Sequence, residues 1–374
     1  MNFRSKNGQE YGENAFMKAS TITPVAVDWL WKPFIPMRKL TMFEGNGGDG
    51  KTTVLLDIAA RITRDGIMPD HTQGKTGGVV YIMVEDGVDD TLVPRMIKSG
   101  ADMDRVIIIN HIPVKVGNEW TTRTFNAQED LPLLEKACEA VGAVMVVIDP
   151  IMEALGERVD AYKETEVRRV LNPLIRFADT HNVAMPLIRH FTKAVTDNPM
   201  YRGGGSTAFT NVARAALQVY PNPDDEDEKN LVSAKHSLSG RPMTLSYRME
   251  ADEHDVTSIK WGKATTKSAR ELAQDSKPLA EGAQDIMRLL EEAAPTDLTT
   301  AEIKASLPHI NASTIGVTLK RLQDRKLIEN LTHGKYRLKP TDEEVALHNA
   351  ALDYDEDVYP TDIPVSVKSN LQFA

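Results

Sequence analysis

The sequence of 374 residues has a single cysteine and no long apolar segment. One cysteine, Cys138, excludes an intramolecular disulfide and gives no sign of an oxidising compartment. Its small thiol is expected in the core. No apolar run approaches the roughly 18 residues of a membrane-spanning helix. The polar start of the chain lacks the apolar segment of a signal peptide. We therefore expect a cytoplasmic protein with no membrane partner.

Basic residues are also in deficit, because 44 lysines and arginines face 54 acidic residues and leave a net charge of −10. Such a charge argues against a nucleic-acid partner, since phosphate backbones attract cationic surfaces. The deficit is uneven, however. Residues 341–374 carry eight acidic residues against one lysine, whereas residues 311–340 carry seven basic residues against two acidic ones. The basic segment leaves nucleic-acid binding open.

Short apolar segments alternate with helical patterns over the first half of the chain. The predicted strands are 39–44, 79–84, 106–109, 143–148 and 183–188, and the predicted helices are 52–63, 89–99, 128–141 and 162–181. This alternation predicts an α/β fold with a doubly wound, mostly parallel sheet. Shorter strands near 215–220, 231–235, 243–249 and 256–261 are expected to extend the sheet as antiparallel edge strands.

Changes in composition divide the chain into five parts. We predict a flexible N-terminal arm, a large α/β domain, a polar linker, a second small domain and an acidic disordered tail. Their boundaries are 1–22, 23–262, 263–281, 282–340 and 341–374.

A glycine-rich turn directly follows the first predicted strand. Residues 45–52 read G-N-G-G-D-G-K-T and match G-x-x-x-x-G-K-[ST] between a strand and a helix, the context that identifies a phosphate-binding P-loop. The glycines let backbone N–H groups wrap phosphates, Lys51 reaches the β- and γ-phosphates, and the Thr52 hydroxyl binds Mg²⁺. The predicted cofactors are therefore ATP and Mg²⁺, bound by Gly45, Asn46, Gly47, Gly48, Asp49, Gly50, Lys51, Thr52 and Thr53.

Two further carboxylates follow buried strands. Asp149 ends the segment V-M-V-V-I-D and is predicted to hold the metal together with Thr52. Glu85 ends the strand after the P-loop helix, which places it at the same edge of the sheet, where it could orient the attacking water as a general base. Asp86 fits a solvated carboxylate better. Asp149 and Glu153 are the alternatives for activating water.

The ordered set of motifs resembles one known family. The P-loop is followed by Y-I-M-V-E-D at 81–86, Arg95, V-I-D-P at 147–150, R-H at 189–190 and R-G-G-G-S at 202–206. Over about residues 24–250 this order resembles the RecA-like ATPases of the RepA type, a group of hexameric plasmid and phage helicases. The resemblance implies a RecA-like fold, water activation by Glu85, sensing of the γ-phosphate by His190, and a homo-oligomer, expected to be a hexamer.

The same resemblance implies that a basic residue reaches the nucleotide of the neighbouring subunit. Lys235 matches the lysine of that family motif, whereas Ser237 stands where many relatives carry the arginine. The trans-acting finger therefore stays open between Lys235, Arg241 and Arg214.

The loop 191–206 follows the sensor strand, where RecA-like proteins carry a DNA-facing loop. Its Lys193 and Arg202 are the predicted contacts to single-stranded DNA, although the segment could equally be a flexible connection.

The small domain combines three helical patterns with a hairpin. A first helix spans 283–292, a capping box at Thr299 and Glu302 starts the second, Asn311 or Ser313 starts the third, and a hairpin covers 327–338. This order resembles a winged helix, in which the third helix enters the major groove of duplex DNA. Its predicted DNA contacts are Lys320, Arg321 and Lys335. Winged helices also dock proteins, so this role stays open.

Two hypotheses remain. The first is an ATP-driven motor of the replicative-helicase type that moves on single-stranded DNA, with a possible replication partner recruited through the acidic tail. The second is a non-motor, ATP-switched DNA-binding or helicase-loader protein. A small-molecule P-loop kinase is disfavoured because no arginine-rich lid insertion is visible. A plasmid- or phage-encoded bacterial protein fits the resemblance.

Overall fold

The computed structural model describes residues 16–192, 198–222, 225–275, 281–324, 327–332 and 334–339. Contacts within the chain divide it into two units, Met1–Lys277 and Pro278–Ala374. The predicted acidic tail, Lys193 and most of the predicted N-terminal arm lie outside the described residues. In the part of the chain that is described, no helix has both the length and the apolar character needed to cross a membrane.

The first unit contains the large sheet. Its described strands are β1 (Trp29–Trp31), β2 (Ile35–Pro36), β3 (Leu40–Gly45), β4 (Gly78–Met83), β5 (Val106–Ile109), β6 (Ile112–Val116), β7 (Glu119–Arg123), β8 (Ala143–Asp149), β9 (Met185–His190), β10 (Ala215–Asn222), β11 (Asp225–His236), β12 (Thr244–Ala251) and β13 (Thr257–Thr265). Its described α-helices are α1 (Lys51–Thr63), α2 (Val93–Lys98), α3 (Leu131–Val141), α4 (Glu164–Thr180), α5 (Ala208–Val212) and α6 (Ala269–Asp275).

Nine strands form one sheet in the order β13-β12-β11-β10-β3-β9-β8-β4-β5. Neighbouring strands from β10 through β5 pair in parallel, and β11, β12 and β13 pair antiparallel at one edge. This arrangement confirms the predicted RecA-like α/β fold, with a doubly wound, mostly parallel sheet and antiparallel edge strands.

Each face of the sheet is covered by its own apolar core. Alternation along β3 sends Met42 into a core with α3 and α4, and Phe43 into a second core with α1, β1 and β2. Cys138 is buried in the first of these cores, as expected for a small apolar side chain.

Strand register brings four strand ends to one edge. Gly45 lies directly opposite His190, and Met83 lies opposite Asp149. Because the strands are parallel, their carboxyl ends meet at this edge, where ligands of open α/β sheets bind.

The predicted linker 263–281 differs from the observed structure. β13 continues to Thr265, and α6 packs Leu272 into a small core with Tyr220 and Val232. Sequence reasoning was wrong here because α6 buries only one large apolar side chain, Leu272, flanked by Ala269 and Ala273 at helical spacing. With so few apolar residues, the sequence of this helix resembles that of a polar linker.

The second unit has a separate core. Its described elements are α7 (Glu281–Ala293), β14 (Leu298–Thr299), α8 (Thr300–Ser306), α9 (Ala312–Asp324), β15 (Ile328–Thr332) and β16 (Lys335–Leu338). The strands pair in the order β14-β16-β15. The side chain of Thr299 accepts from the N–H of Glu302, whose carboxylate accepts in return from Thr299. The capping box therefore starts α8 as the sequence predicts.

Candidate nucleotide-binding site

The turn between β3 and α1 depends on two glycines with left-handed backbone. Gly48 has φ of 80° and Gly50, which caps α1, has φ of 79°. Side chains rarely adopt these angles, so glycine is required at both positions. The first hydrogen bond of α1 runs from Val54 N–H to Gly50 O at 2.9 Å. The three N–H groups before it, those of residues 51–53, have no acceptor within the helix and suit an anion.

Lys51 is buried inside this turn, with 4% of its surface exposed. Its Nζ donates to Asn46 O at 2.6 Å and lies 3.3 Å from His190 Nδ1. Burial lowers the pKa of Lys51, while the charges of Asp49, Asp149 and Glu85 act in the opposite direction. The ammonium group is therefore a poorly hydrated cation, which interacts more strongly with an anion than an exposed lysine does.

Asp149 receives two hydrogen bonds on one carboxylate oxygen. Thr52 Oγ1 donates to Asp149 Oδ2 at 2.8 Å, and Tyr81 Oη donates to the same atom at 2.9 Å. Burial raises the pKa of Asp149 to about 6, against the lowering effect of these two bonds. The predicted metal ligands Thr52 and Asp149 are thus in direct contact.

His190 lies between Lys51 and Glu85. Its Nε2 is 3.7 Å from Glu85 Oε2, and the two side chains are 46% and 51% exposed. Since the Lys51 ammonium can only donate, His190 Nδ1 is the acceptor, and Nε2–H points towards the carboxylate of Glu85. Glu85 also lines a cleft of about 570 Å³ together with Asn110 and His111, so water has access to its carboxylate.

Among the nine residues predicted to hold ATP, Thr53 is buried in the first turn of α1, and Asn46, Gly47 and Gly48 are exposed. Asp49 is buried beneath the loop, where Oδ2 accepts from Asn46 N–H at 2.7 Å. Burial raises the pKa of Asp49. Taken with the contacts of Lys51, Asp149 and His190, this geometry places five predicted site residues at one sheet edge: Lys51, Thr52, Asp149, His190 and Glu85.

The three candidates for the trans-acting finger form hydrogen bonds with residues outside the P-loop. Ser237 N–H donates to Arg214 O, and Arg214 N–H donates to Leu40 O, both at 3.2 Å. Leu40 begins β3, five residues before Gly45, which corresponds to about 16 Å of strand. Lys235 Nζ donates to Thr210 O and Asn211 O at 2.8 and 2.9 Å. Arg241 Nη2, in the turn after β11, donates to Thr266 O at 2.6 Å.

Arg202, one of the two predicted DNA contacts of loop 191–206, is buried. Its side chain is 6% exposed, with the guanidinium 4.7 Å from the ring of Phe191 and 5.6 Å from that of Tyr220. An arginine that lies over aromatic rings gains cation–π energy, and its burial disfavours contact with a phosphate backbone. In the second unit, Lys320, Arg321 and Lys335 are exposed, and their contact with DNA stays a prediction.

Sequence reasoning missed the polar side chains that support the site from within the core. Tyr81 holds Asp149, and Tyr247 Oη donates to Asp49 O at 2.5 Å. Glu44, directly before the P-loop, is paired with Arg189, directly before His190. The sequence did contain a signal for these residues, because each is a polar side chain within a largely apolar strand, and buried polar groups require hydrogen-bond partners.

The fold is RecA-like, and the carboxyl edge of its sheet carries a P-loop. A family model described as an AAA domain, AAA_25, matches residues 13–195. Among solved structures, a KaiC-like protein from the hyperthermophilic archaeon Pyrococcus horikoshii OT3 is similar to the chain, with 18% sequence identity and a TM-score of 0.42. The match covers 63% of this chain and 100% of that one. A search of curated proteins finds no match.

Proposed function

We propose that the chain is an ATP-hydrolysing, DNA-associated motor of the replicative-helicase type. The observation that carries the ATPase part is the contact series Lys51–His190–Glu85 beside the Thr52–Asp149 pair. It combines a phosphate-binding cation, a polar group that can respond to the γ-phosphate, and a carboxylate for water at one sheet edge.

The residues present fit ATP and Mg²⁺. A Cβ added to Gly47 would meet no atom within 4 Å, so the outer side of the loop is open to a ligand. The hydroxyl of Thr52 and the carboxylate of Asp149 are hard oxygen groups of the kind that Mg²⁺ prefers. Bound Mg²⁺ would offset the charge of the phosphate oxygens.

The side chains divide the chemical work. Lys51 supplies a fixed positive charge, Thr52 and Asp149 offer oxygen ligands, and Glu85 accepts the proton of the attacking water. His190 lies between the two groups, with Nδ1 3.3 Å from Lys51 Nζ and Nε2 3.7 Å from Glu85 Oε2, so its position depends on both. Displacement of Lys51 towards a phosphate would therefore be felt at Glu85 through His190.

A second copy of the chain is part of this proposal. Within its own chain, Lys235 Nζ is bonded to Thr210 O and Asn211 O, and Arg241 Nη2 is bonded to Thr266 O, none of which belongs to the P-loop. A role in hydrolysis thus requires a neighbouring subunit, as in a head-to-tail ring. Six subunits follow from the family resemblance.

The proposed binding of DNA depends mainly on the second unit. The order of its elements is compatible with a winged helix, and its α9 exposes Ser313, Thr314, Lys320 and Arg321 away from the buried Ile315 and Leu319. Such a face fits a role in the major groove. The burial of Arg202 favours the alternative, a non-motor ATP-switched DNA-binding or loader protein, because it removes one expected contact to single-stranded DNA.

One experiment separates these functions. Steady-state ATP hydrolysis is measured with single-stranded DNA, with duplex DNA and without DNA, and particle mass is measured with and without nucleotide. Strong stimulation by single strands in a nucleotide-dependent ring supports the motor. Duplex binding without stimulation of hydrolysis supports the alternative. Absence of any hydrolysis by the assembled protein would contradict both.

A further inference from the structure

A tyrosine from the antiparallel edge reaches the P-loop. Tyr247 of β12 is fully buried, and its hydroxyl donates to Asp49 O at 2.5 Å across 198 positions of sequence. Its ring packs 5.6 Å from that of Trp261, whose Nε1 donates to Asp57 of α1 at 2.8 Å. The hydroxyl is therefore held in place from both β13 and α1. Burial also raises the pKa of Tyr247 well above 10, so the hydroxyl stays a donor.

The acceptor belongs to a peptide unit with a second role. The carbonyl of Asp49 and the N–H of Gly50 lie in one planar group and point in opposite directions. A donor fixed on the carbonyl therefore fixes the direction of the N–H on the other side. It also polarises the peptide, which strengthens that N–H as a donor.

This peptide needs support from outside the loop. Gly50 has no Cβ to resist rotation, and its φ of 79° is accessible to glycine alongside many other angles. Met249, two residues after Tyr247 on β12, packs against it: a Cβ on Gly50 would lie 2.5 Å from Met249 Sδ. Tyr247 and Met249 thus restrict the same peptide from one strand.

We infer that Tyr247 is a positioning residue for the phosphate chain, which holds the Asp49–Gly50 peptide with the Gly50 N–H directed at the nucleotide. The inference rests on the proposed binding of ATP at this loop. Backbone N–H groups of a P-loop contact the inner phosphates, which are present in substrate, transition state and ADP alike. Loss of the hydroxyl should therefore weaken binding and leave the chemical step almost unchanged.

The chain offers a matched control for the test. Tyr220 of β10 is also fully buried and donates one hydroxyl bond, to Gln218 Oε1 at 2.9 Å. Gln218 in turn donates to Glu44, so this hydroxyl is linked to β3 through a second side chain and bonds no P-loop residue directly. Tyr247→Phe and Tyr220→Phe each remove one buried hydroxyl from the full-length protein. For Tyr247→Phe we expect about fivefold weaker binding of both Mg-ATP and Mg-ADP, a matching rise in KM, and kcat within about twofold. For Tyr220→Phe, affinity should stay within about twofold.

Calorimetric titration and steady-state kinetics measure these values, with thermal unfolding to show that both variants are folded. Equal losses of affinity in the two variants would reduce the effect to a general cost of a buried hydroxyl and overturn the inference. So would unchanged affinity in Tyr247→Phe, or a lower kcat at unchanged affinity. A wild-type protein that binds no Mg-ATP would overturn the proposed function, and this inference with it.

Discussion

Lys51 is the residue on which phosphate binding depends most directly. Its buried ammonium is held at Asn46 O and His190 Nδ1, and a methyl group cannot replace that charge. Lys51→Ala should nearly abolish Mg-ATP binding and hydrolysis. Lys39→Ala is the control: Lys39 directly precedes β3, at the opposite end of that strand from the P-loop, and its loss should change affinity by no more than about twofold. Equilibrium binding of ATP to both variants tests this prediction, and an unchanged affinity in Lys51→Ala would contradict the P-loop assignment.

Glu85 and Asp86 are adjacent carboxylates with different expected roles. A carboxylate that orients water acts mainly in the transition state, so Glu85→Gln should retain ATP binding and lose about a hundredfold or more in turnover. Asp86→Asn, the control, should lose much less, because it is the carboxylate of Glu85 that lies 3.7 Å from His190.

Single-turnover hydrolysis and ATP binding by both variants provide the comparison. Similar losses in the two variants, or normal turnover in Glu85→Gln, would transfer water activation to another carboxylate, with Asp149 and Glu153 the next candidates.

At the scale of elements, a buried ion pair ties β3 to β9 directly behind the site. Arg189 is 1% exposed and Glu44 fully buried. Arg189 Nε donates to Glu44 Oε1 at 3.1 Å, and Nη1 donates to Gly204 O and Ser206 O at 2.9 and 3.2 Å. Gln218 Nε2 donates to the other oxygen of Glu44 at 2.8 Å. The pair therefore joins both strands to the chain that returns towards α5.

Removal of one partner from this pair should be costly. Arg189→Met leaves the carboxylate of Glu44 buried without its cation, which we expect to lower the free energy of unfolding by about 3–5 kcal/mol. The double variant Glu44→Gln with Arg189→Met should be at least about 1 kcal/mol more stable than the sum of the single changes predicts. Arg168→Met, which breaks an exposed pair with Glu164, should cost less than about 1 kcal/mol. Urea unfolding measures all four variants, and additive losses would show that the pair is not coupled.

The elements that could be predicted from the sequence are those with a strong local pattern. The predicted strand 79–84 lies within one residue of β4, and α1 begins one residue before its predicted start, because apolar runs and the glycine turn define their bounds. The hairpin of β6 and β7 was missed although Ile112, Val114 and Val116 alternate, because Pro113 interrupts that run and the mostly exposed β7 has no matching apolar pattern.

The same distinction applies to the site. Lys51, Asp149 and Glu85 could be predicted, because each follows a buried strand and parallel strands share an edge. The contact between Tyr247 and Asp49 could not, because it joins residues 198 positions apart and depends on how the antiparallel edge curves towards α1. The burial of Arg202 was not predicted for a related reason: its aromatic neighbours, Phe191 directly after β9 and Tyr220 of β10, come from separate parts of the chain.

For the whole molecule, the division into two units predicts separable activities. A chain of residues 1–277 should keep most of its ATP hydrolysis and lose duplex binding, which fluorescence anisotropy with a short duplex can measure. Truncation at 262 should instead destabilise the protein, because it removes α6 and exposes Tyr220 and Val232. Equal duplex binding by 1–277 and the full chain would remove the DNA-binding role from the second unit.

Assembly from several copies predicts that two inactive variants can restore activity together. In Lys51→Ala the nucleotide site is defective but the finger is intact, and in a finger variant the reverse holds. If the finger acts in trans, mixed assemblies contain interfaces at which an intact P-loop meets an intact finger, and ATP hydrolysis should return well above that of either parent.

Each finger candidate, Lys235→Ala, Arg241→Ala and Arg214→Ala, is mixed separately with Lys51→Ala. The finger is the residue whose variant is inactive alone and rescued by mixing. Lys235 also bonds Thr210 O and Asn211 O in its own chain, so thermal unfolding must show that Lys235→Ala is folded. A mixture no more active than its parents, in particles shown by mass to contain both, would mean that no basic residue crosses to the neighbouring site. Lys235 and Arg241 bond backbone oxygens outside their own P-loop, which leads us to expect rescue for one of these two.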